Sequence, residues 1–375
     1  MKRWIWQKDN YPNFIYDEKK LLPIIEKVST KQGELIAFTS LLNNENLKER
    51  QFEALSNEVI NTSAIEGEKL KRDSVSASIG RKLGIENLET YKSDIYTDGI
   101  VEILIDANTN YNQSLELEKI FGWHNSIFPT GYSGISKINV AKFRDIDEMK
   151  VVSGAIGQEQ THYIAPPRKQ LDKEISQYLE WFNSEKTSLI KAAIAHLWFL
   201  IIHPMDDGNG RIARAITDLV LSKIEQSEFS KLYSISKTIF KHRKEYYKTL
   251  DLTTGYYIKD NKGLDITLWI IWFLEALYES LCDAKKSLLH IIDKTNFWDK
   301  HRDSNLNARQ IKVLNKILDK GAKNFEGGLN KRKYEAIAKT TSATASRDIK
   351  DLIVKGCIKQ TLGTKGRNVS YFIEI

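Results

Sequence analysis

Apolar side chains recur at helical spacing over most of the first 290 residues. In LKERQFEALSNEVI, the side chains of Leu47, Phe52, Leu55, Val59 and Ile60 fall along one side of a 3.6-residue repeat, the pattern of an amphipathic helix. DSVSASIGRKLG predicts a second helix, capped by Asp73 and ended by Gly84. Further helices are expected over about 93–109, 114–128, 171–184, 187–202, 211–225, 242–249 and 265–289. One stretch, AAIAHLWFLII at 192–202, is apolar on every side; it reads as a buried helix and is far shorter than the ~20 residues a bilayer requires. The helical pattern breaks at 151–167, VVSGAIGQEQTHYIAPP, where β-branched residues, glycines and a Pro-Pro stop predict a short hairpin or flap.

A second break comes near residue 300. Residues 300–375 hold 17 basic and 7 acidic side chains, so the whole chain's net charge of +7 originates there. LNARQIKVLNKIL predicts one helix, and YEAIAKTTSATASRDIKDLIVKG a helix, a turn and a helix. Ser342 or Thr344 would cap the last of these, Ile349, Leu352 and Ile353 would face inward, and Gly356 would end it. CIKQTL and NVSYFI follow as paired strands. The order is similar to a winged helix domain, with Ser346, Arg347 and Lys350 on the outer face of the last helix, where they could meet DNA or, equally, a protein partner. The division expected is an N-terminal helical module (1–90), a helical core (91–295) and this basic tail (300–375).

Composition narrows the class. The 375 residues, 41% hydrophobic and 28% charged, describe a folded chain able to bury a sizeable core. Two cysteines, Cys282 and Cys357, support neither a disulfide framework nor a Cys-rich zinc site. With no secretory signal in MKRWIWQKDNYPNF and no spanning segment, the expected setting is the cytoplasm, away from membranes.

The candidate chemistry sits in HPMDDGNGRIAR, 203–214. Pro204 disfavours helical geometry at His203, so the buried helix should stop there with the imidazole at its edge. The glycines that follow let backbone N–H groups converge on phosphate oxygens, and a helix starts near Arg211. Arg211 and Arg214 share a face of its first turn, where cations oppose the helix dipole unless an anion offsets them. A polyphosphate would do so. Asp207 is placed to hold a magnesium ion, and His203 to act as general base toward a hydroxyl. Without a ligand, Arg214 could pair with Asp218 one turn on, whereas Arg211 has no such partner. A calcium loop is excluded because Arg211 would occupy a ligand position.

This stretch resembles the signature of the Fic family, H-x-F-x-[D/E]-G-N-G-R-x-x-R, departing from it only at Met205. The resemblance implies a mainly α fold, a Fic-type helical core with a small hairpin flap, and transfer of AMP from ATP to a Ser, Thr or Tyr hydroxyl of a target protein or of the chain itself. It implies His203 as the base, Asp207 as the Mg2+ ligand, the Gly208, Asn209 and Gly210 backbone as phosphate cradle, and Arg211 and Arg214 as clamps. THYIAPP is similar to the family's flap, which would align a target by β-addition along Thr161, His162, Tyr163 and Ile164. KEYYKTL is similar to the segment closing the adenine pocket, placing Tyr246 and Tyr247 near the base. His196, in the lead-in helix, reads as a core histidine.

NTSAIEGEKL, 61–70, resembles the inhibitory helix of these proteins. Thr62 and Glu66 lie four apart on one face, Gly67 ends the helix, and Glu66, pointing outward from the last turn, would pair with Arg214 and keep the γ-phosphate misplaced. WIWQKDNYPNFIYD is similar to a module found ahead of such cores. Alternatives are removal of AMP or transfer of another nucleotide by the same site, or a DNA-binding regulator acting through 300–375. A homodimer is compatible with each.

Overall fold

The computed structural model describes residues 3–85, 92–153, 158, 160–226, 232–255, 264–319, 321, 325 and 327–374. The glycines Gly154 and Gly157 of the expected flap lie outside them. Among the described residues there are fourteen α-helices and three two-stranded antiparallel sheets. The chain divides into two compact units, Met1–Ala37 with Leu47–Ala284, and Phe38–Asn46 with Lys285–Ile375. No helix of the described residues is long and apolar enough to cross a membrane.

The first unit is organised around α7 (Leu189–Ile202) and α8 (Asn209–Glu225), packed against each other. As its uniform apolarity predicts, α7 is buried nearly throughout, with Ser188 capping it by accepting from Lys191 N at 3.0 Å. Against α8 lie α4 (Ile95–Thr109) and α5 (Leu117–Ile127). Ahead of them come α1 (Glu18–Thr39), α2 (Asn44–Ile65) and α3 (Arg72–Leu83), and after them α6 (Leu171–Ser184), α9 (Ile235–Lys241), α10 (Arg243–Thr254) and α11 (Thr267–Lys300). A small hairpin joins β1 (Tyr132–Ser133) to β2 (Ser136–Lys137). The expected flap forms from β3 (Lys150–Ser153) and β4 (Gln160–Ile164), with a bulge between Val151 and Val152.

Two local expectations are corrected. In α2 the buried stripe runs through Leu47, Arg50, Ala54, Glu58, Val59 and Thr62, while Phe52, Leu55 and Ile60 are only partly buried. The inner face carries charge because Glu58 has its own partners there, accepting from Ser236 N at 3.2 Å and from the Ser236 hydroxyl. Asp73 lies inside the first turn of α3 rather than at its cap, which is Lys71 without a side-chain bond. Gly84 does close α3, in the left-handed conformation with φ 63°.

In the second unit, α12 (Ala308–Leu318), α13 (Lys331–Ala338) and α14 (Ser342–Val354) precede a hairpin of β5 (Ile358–Gln360) and β6 (Tyr371–Ile373). Val313, Leu314, Tyr334, Ile349, Leu352 and Ile358 contribute to its core. The cap of α14 is Thr341, one residue before the expected Ser342, and Ile353 is 41% exposed rather than inward. Arg347 and Lys350 are exposed and Ser346 half-buried. Cys282 and Cys357 are both free thiols, the second buried.

Candidate active site

His203 ends α7 in the left-handed conformation, φ 49° and ψ 58°, not in the extended one a following proline favours. This costs a non-glycine residue on the order of 1 kcal/mol. The surroundings hold it there. The buried Arg144 guanidinium donates through Nε to His203 O at 2.9 Å, and also to Ile146 O and Pro166 O, while Arg144 N donates to Pro204 O at 3.0 Å. His203 Nδ1 lies 3.4 Å from Leu200 O; a carbonyl can only accept, so the proton belongs on Nδ1 and Nε2 keeps its lone pair. Burial of the ring lowers its pKa to about 4, so the imidazole is neutral at pH 7, as a general base must be.

The loop after His203 is braced by its own asparagine. Asn209 Nδ2 donates to Met205 O at 2.9 Å, and Asn209 Oδ1 accepts from Met205 N at 3.0 Å. Met205 is fully buried, filling the place where phenylalanine is usual. Gly208 caps α8 with φ 82°, and a Cβ there would press on Phe128 Cε2 at 2.9 Å. Asp207 keeps a half-exposed carboxylate that accepts from Gly208 N and from the Ser133 hydroxyl, each at 2.5 Å. His124 fixes the backbone behind it. Its Nδ1 accepts from Ala141 N at 3.1 Å, so Nε2 carries the proton and donates to Asp207 O at 3.1 Å. Among the described residues, no group of three or more His, Cys, Asp or Glu gathers around a cation position. A single carboxylate suits a magnesium ion that takes most of its ligands from phosphates and water.

Both signature arginines are buried and both have carboxylate partners. Arg214, wholly enclosed, donates through Nε to Thr62 Oγ1 at 2.7 Å and through Nη2 to Thr62 O at 2.9 Å and Glu66 Oε1 at 2.7 Å. Glu66 thus points away from the end of α2 and onto α8, and a Cβ on Gly210 would collide with its Oε1. The chain turns at Gly67, φ 89°, and brings Glu68 to Arg211: Nη1 donates to Glu68 Oε2 at 2.8 Å. Arg211 also lies 3.9 Å from Asp207 Oδ1 and 4.9 Å from the centre of the Phe128 ring. As expected, Arg211 has no acidic residue one turn on in its helix; its close partner comes instead from 143 positions upstream. Arg211 Nε and Arg214 Nη1 are buried with no hydrogen-bond partner among the described residues. Buried donors without acceptors are the feature expected where an anion binds.

A cavity of about 570 Å³ adjoins these groups, walled by Glu66, His203, Gly210, Tyr246 and Tyr247 and by flap residues. Tyr247 donates its hydroxyl to Ile65 O at 3.3 Å, tying this wall to the end of α2. Tyr246 is 2% exposed and its hydroxyl is 3.0 Å from His196 Nε2. His196 is the core histidine expected. Its Nδ1 bonds Thr217 Oγ1 at 2.9 Å, and burial lowers its pKa to about 3. In the flap, Tyr163 cannot face a target: it is 5% exposed and donates to Ile201 O at 2.8 Å. Thr161, His162 and Ile164 are half-buried, and Trp6 Nε1 occupies the Ile164 carbonyl at 2.7 Å.

Arg144, His124, Ser133 and Glu68 escaped the sequence reading. Glu68 alone had a signal, its place two residues beyond Glu66 on the same strap.

Comparison with known proteins gives two matches to family sequence profiles. Residues 4–85 match a domain of unknown function, DUF4172, and residues 114–221 match the Fic/DOC family. The curated protein adenylyltransferase fic-1 of Caenorhabditis elegans is 36% identical over 55 residues, covering 14% of this chain and 11% of that protein. Protein adenylyltransferase Fic of Nematostella vectensis is 18% identical over 208 residues, covering 53% and 44%. The chain thus spans less than half the length of these curated relatives. In fold, it is similar to a crystal structure of a Fic family protein from Desulfovibrio desulfuricans, with TM-score 0.52, 17% identity and coverage of 94% of this chain and 96% of that one. It is also similar to Fic-1 (residues 134–508) from Caenorhabditis elegans, with TM-score 0.50, 18% identity and coverage of 72% and 73%. The family match is to a Fic/DOC domain within the chain, over residues 114–221, in a fold similar to that of solved Fic proteins.

Proposed function

We propose that this protein is a protein adenylyltransferase held in check by its own strap at residues 62–68. ATP would place its phosphates on the Gly208–Gly210 backbone and on Arg211 and Arg214, and Asp207 would hold Mg2+, which would supply charge against the phosphates. His203 Nε2 takes the proton of a Ser, Thr or Tyr hydroxyl on a target protein presented along Thr161, His162 and Ile164. That oxygen then bonds to the α-phosphorus and pyrophosphate leaves. Tyr247, with Tyr246 behind it, walls the adenine side. The observation that carries the reading is the carboxylate of Glu66 lying against Gly210 and on Arg214, while Arg214 Nη1 and Arg211 Nε have no acceptor among the described residues. A triphosphate needs the space and the charge that Glu66 and Glu68 now take. Residues 300–375 read as a winged helix docking module, its exposed Arg347 and Lys350 suited to an anionic surface, and the cytoplasm as the setting.

Tagged ATP in a host lysate tests this. Glu66→Gly should label target proteins well above wild type, and adding His203→Ala should remove that labelling. Equal labelling by wild type and Glu66→Gly rejects the brake; no labelling by any variant rejects the transfer. The reverse reaction is a second reading, favoured by one fact: Glu66 and His203 wall the same cavity, so the carboxylate could orient a water toward an AMP ester. Release of AMP from pre-labelled target by wild type, lost in Glu66→Gly, would select it.

A further inference from the structure

Toward the turn of the flap, three side chains from three elements form a hydrogen-bonded chain to which the transfer reaction above assigns no step. His162 on β4 bonds Asp251 on α10 through Nδ1, at 2.9 Å from Asp251 Oδ2. Its other nitrogen, Nε2, is 2.6 Å from the hydroxyl of Ser153 on β3. The carboxylate can only accept, so it fixes the imidazole proton on Nδ1 and leaves Nε2 to accept from Ser153 Oγ. This is the order of groups, carboxylate to imidazole to hydroxyl, that activates a serine oxygen as a nucleophile. Asp251 and His162 are mostly buried, with side chains 15% and 24% exposed, while Ser153 is exposed. All three wall the same 570 Å³ cavity as His203 and Gly210.

An activated hydroxyl on the wall of a nucleotide cavity has an obvious electrophile. An acyl substrate would need converging backbone donors to receive its oxyanion. A phosphorus centre bound in the cavity requires no such hole from the flap, since its charge would be borne by α8 and its arginines.

We infer that Ser153 is a self-modification site, accepting AMP from ATP bound in its own chain's cavity; this rests on the transfer reading above. Ser153 Oγ forms a bond to the α-phosphorus, the bond from that phosphorus to the bridging oxygen of the β-phosphate breaks, and pyrophosphate leaves. The hydroxyl proton passes to His162 Nε2, and Asp251, a positioning residue, holds the imidazolium. The product carries an adenylyl group on the flap at the cavity mouth.

The test uses the full chain as Glu66→Gly, incubated with ATP and Mg2+ and mapped by peptide mass spectrometry, with tagged ATP and lysate run in parallel. The expected result is one adenylyl group on the peptide holding Ser153. Its rate of appearance should not change on dilution, because donor and acceptor share a chain. Ser153→Ala should lose that label and Ser153→Thr keep it. His162→Asn should slow self-labelling on the order of a hundredfold. Asp251→Asn should slow it less, with the ATP concentration for half-maximal rate unchanged in both, which a collapsed pocket would not give. Lysate proteins labelled while Ser153 stays bare, or self-labelling elsewhere that persists in Ser153→Ala, overturns the acceptor and leaves the transfer reading intact. Absence of label on every protein, lysate included, overturns both.

Discussion

Arg214 and Arg211 stand one turn apart on the same helix, and each is met by a glutamate of the same strap, yet the two contacts differ in kind. Arg214 is fully enclosed and is read by three acceptors, Thr62 Oγ1, Thr62 O and Glu66 Oε1, with the Glu66 side chain 28% exposed. Arg211 is 4% exposed at its side chain, but its close partner Glu68 is 45% exposed. An ion pair gains most where both ends are withdrawn from water and hydrogen-bonded, and little where one end stays hydrated. The inner contact should therefore set whether the strap is seated, and the outer one should trim it.

The sharpest way to break this asymmetry is Glu66→Gly. Truncating one partner of a buried, hydrogen-bonded charge pair is worth about 2–5 kcal/mol. If that energy is what excludes ATP, AMP transfer to a target should rise on the order of a hundredfold, read by initial rates at fixed ATP. Thr62→Val comes next. It leaves the charges in place but strips the Nε acceptor from a buried guanidinium, at about 1–3 kcal/mol. A lower urea midpoint together with a smaller rise in transfer rate is expected; an unchanged midpoint would mean the hydroxyl contributes nothing to the seated state.

Glu68→Gln should do less than either. An exposed pair contributes roughly 0–1 kcal/mol, so the rise should stay below about fivefold and fade in high salt. A double-mutant cycle of Glu66→Gly with Glu68→Gln decides whether the arms act separately. Release by Glu68→Gln as large as that by Glu66→Gly would reverse the ranking. The smallest effect expected is that of mild acid on the base. Burial depresses the His203 pKa to about 4, so its neutral, proton-accepting form persists as pH falls from 8 to about 5, and is lost only through 4. The Glu66→Gly rate should accordingly be flat over that range as far as the base is concerned; a fall centred near pH 6.5 would show an imidazole that opens to water once the strap is gone.

How far the sequence reached follows from how local each signal is. Burial on all sides leaves a nearly uninterrupted apolar run that located α7, helical spacing of apolar residues located α8, and the glycines and proline between them marked the loop. The four-residue spacing of Thr62 and Glu66 put both on one helical face, and the structure brings both to Arg214. What stayed hidden are polar contacts between distant segments. Arg144 sits in an unremarkable KFRDID stretch, and nothing there says that its guanidinium will meet carbonyls 59 and 22 positions away. His124 looks like any apolar-face histidine until Ala141 N and Asp207 O appear on its two nitrogens. Tyr163 misled for the opposite reason. Strand alternation tells that successive side chains face opposite ways, but not which way is out, and Tyr163 went under.

Arg144 also ties together parts that are usually thought of apart. One planar group grips the carbonyl that follows the imidazole, the carbonyl of Ile146 and the carbonyl of Pro166 at the foot of β4. A guanidinium has fixed angles between its nitrogens, so these three anchor points cannot shift independently. Whatever tugs on the foot of the hairpin, such as an incoming polypeptide adding itself along the strand, tugs on the imidazole as well. On the proposed reading, docking and proton transfer would in this way be mechanically geared, and a visitor that seats poorly would meet a base slightly out of line.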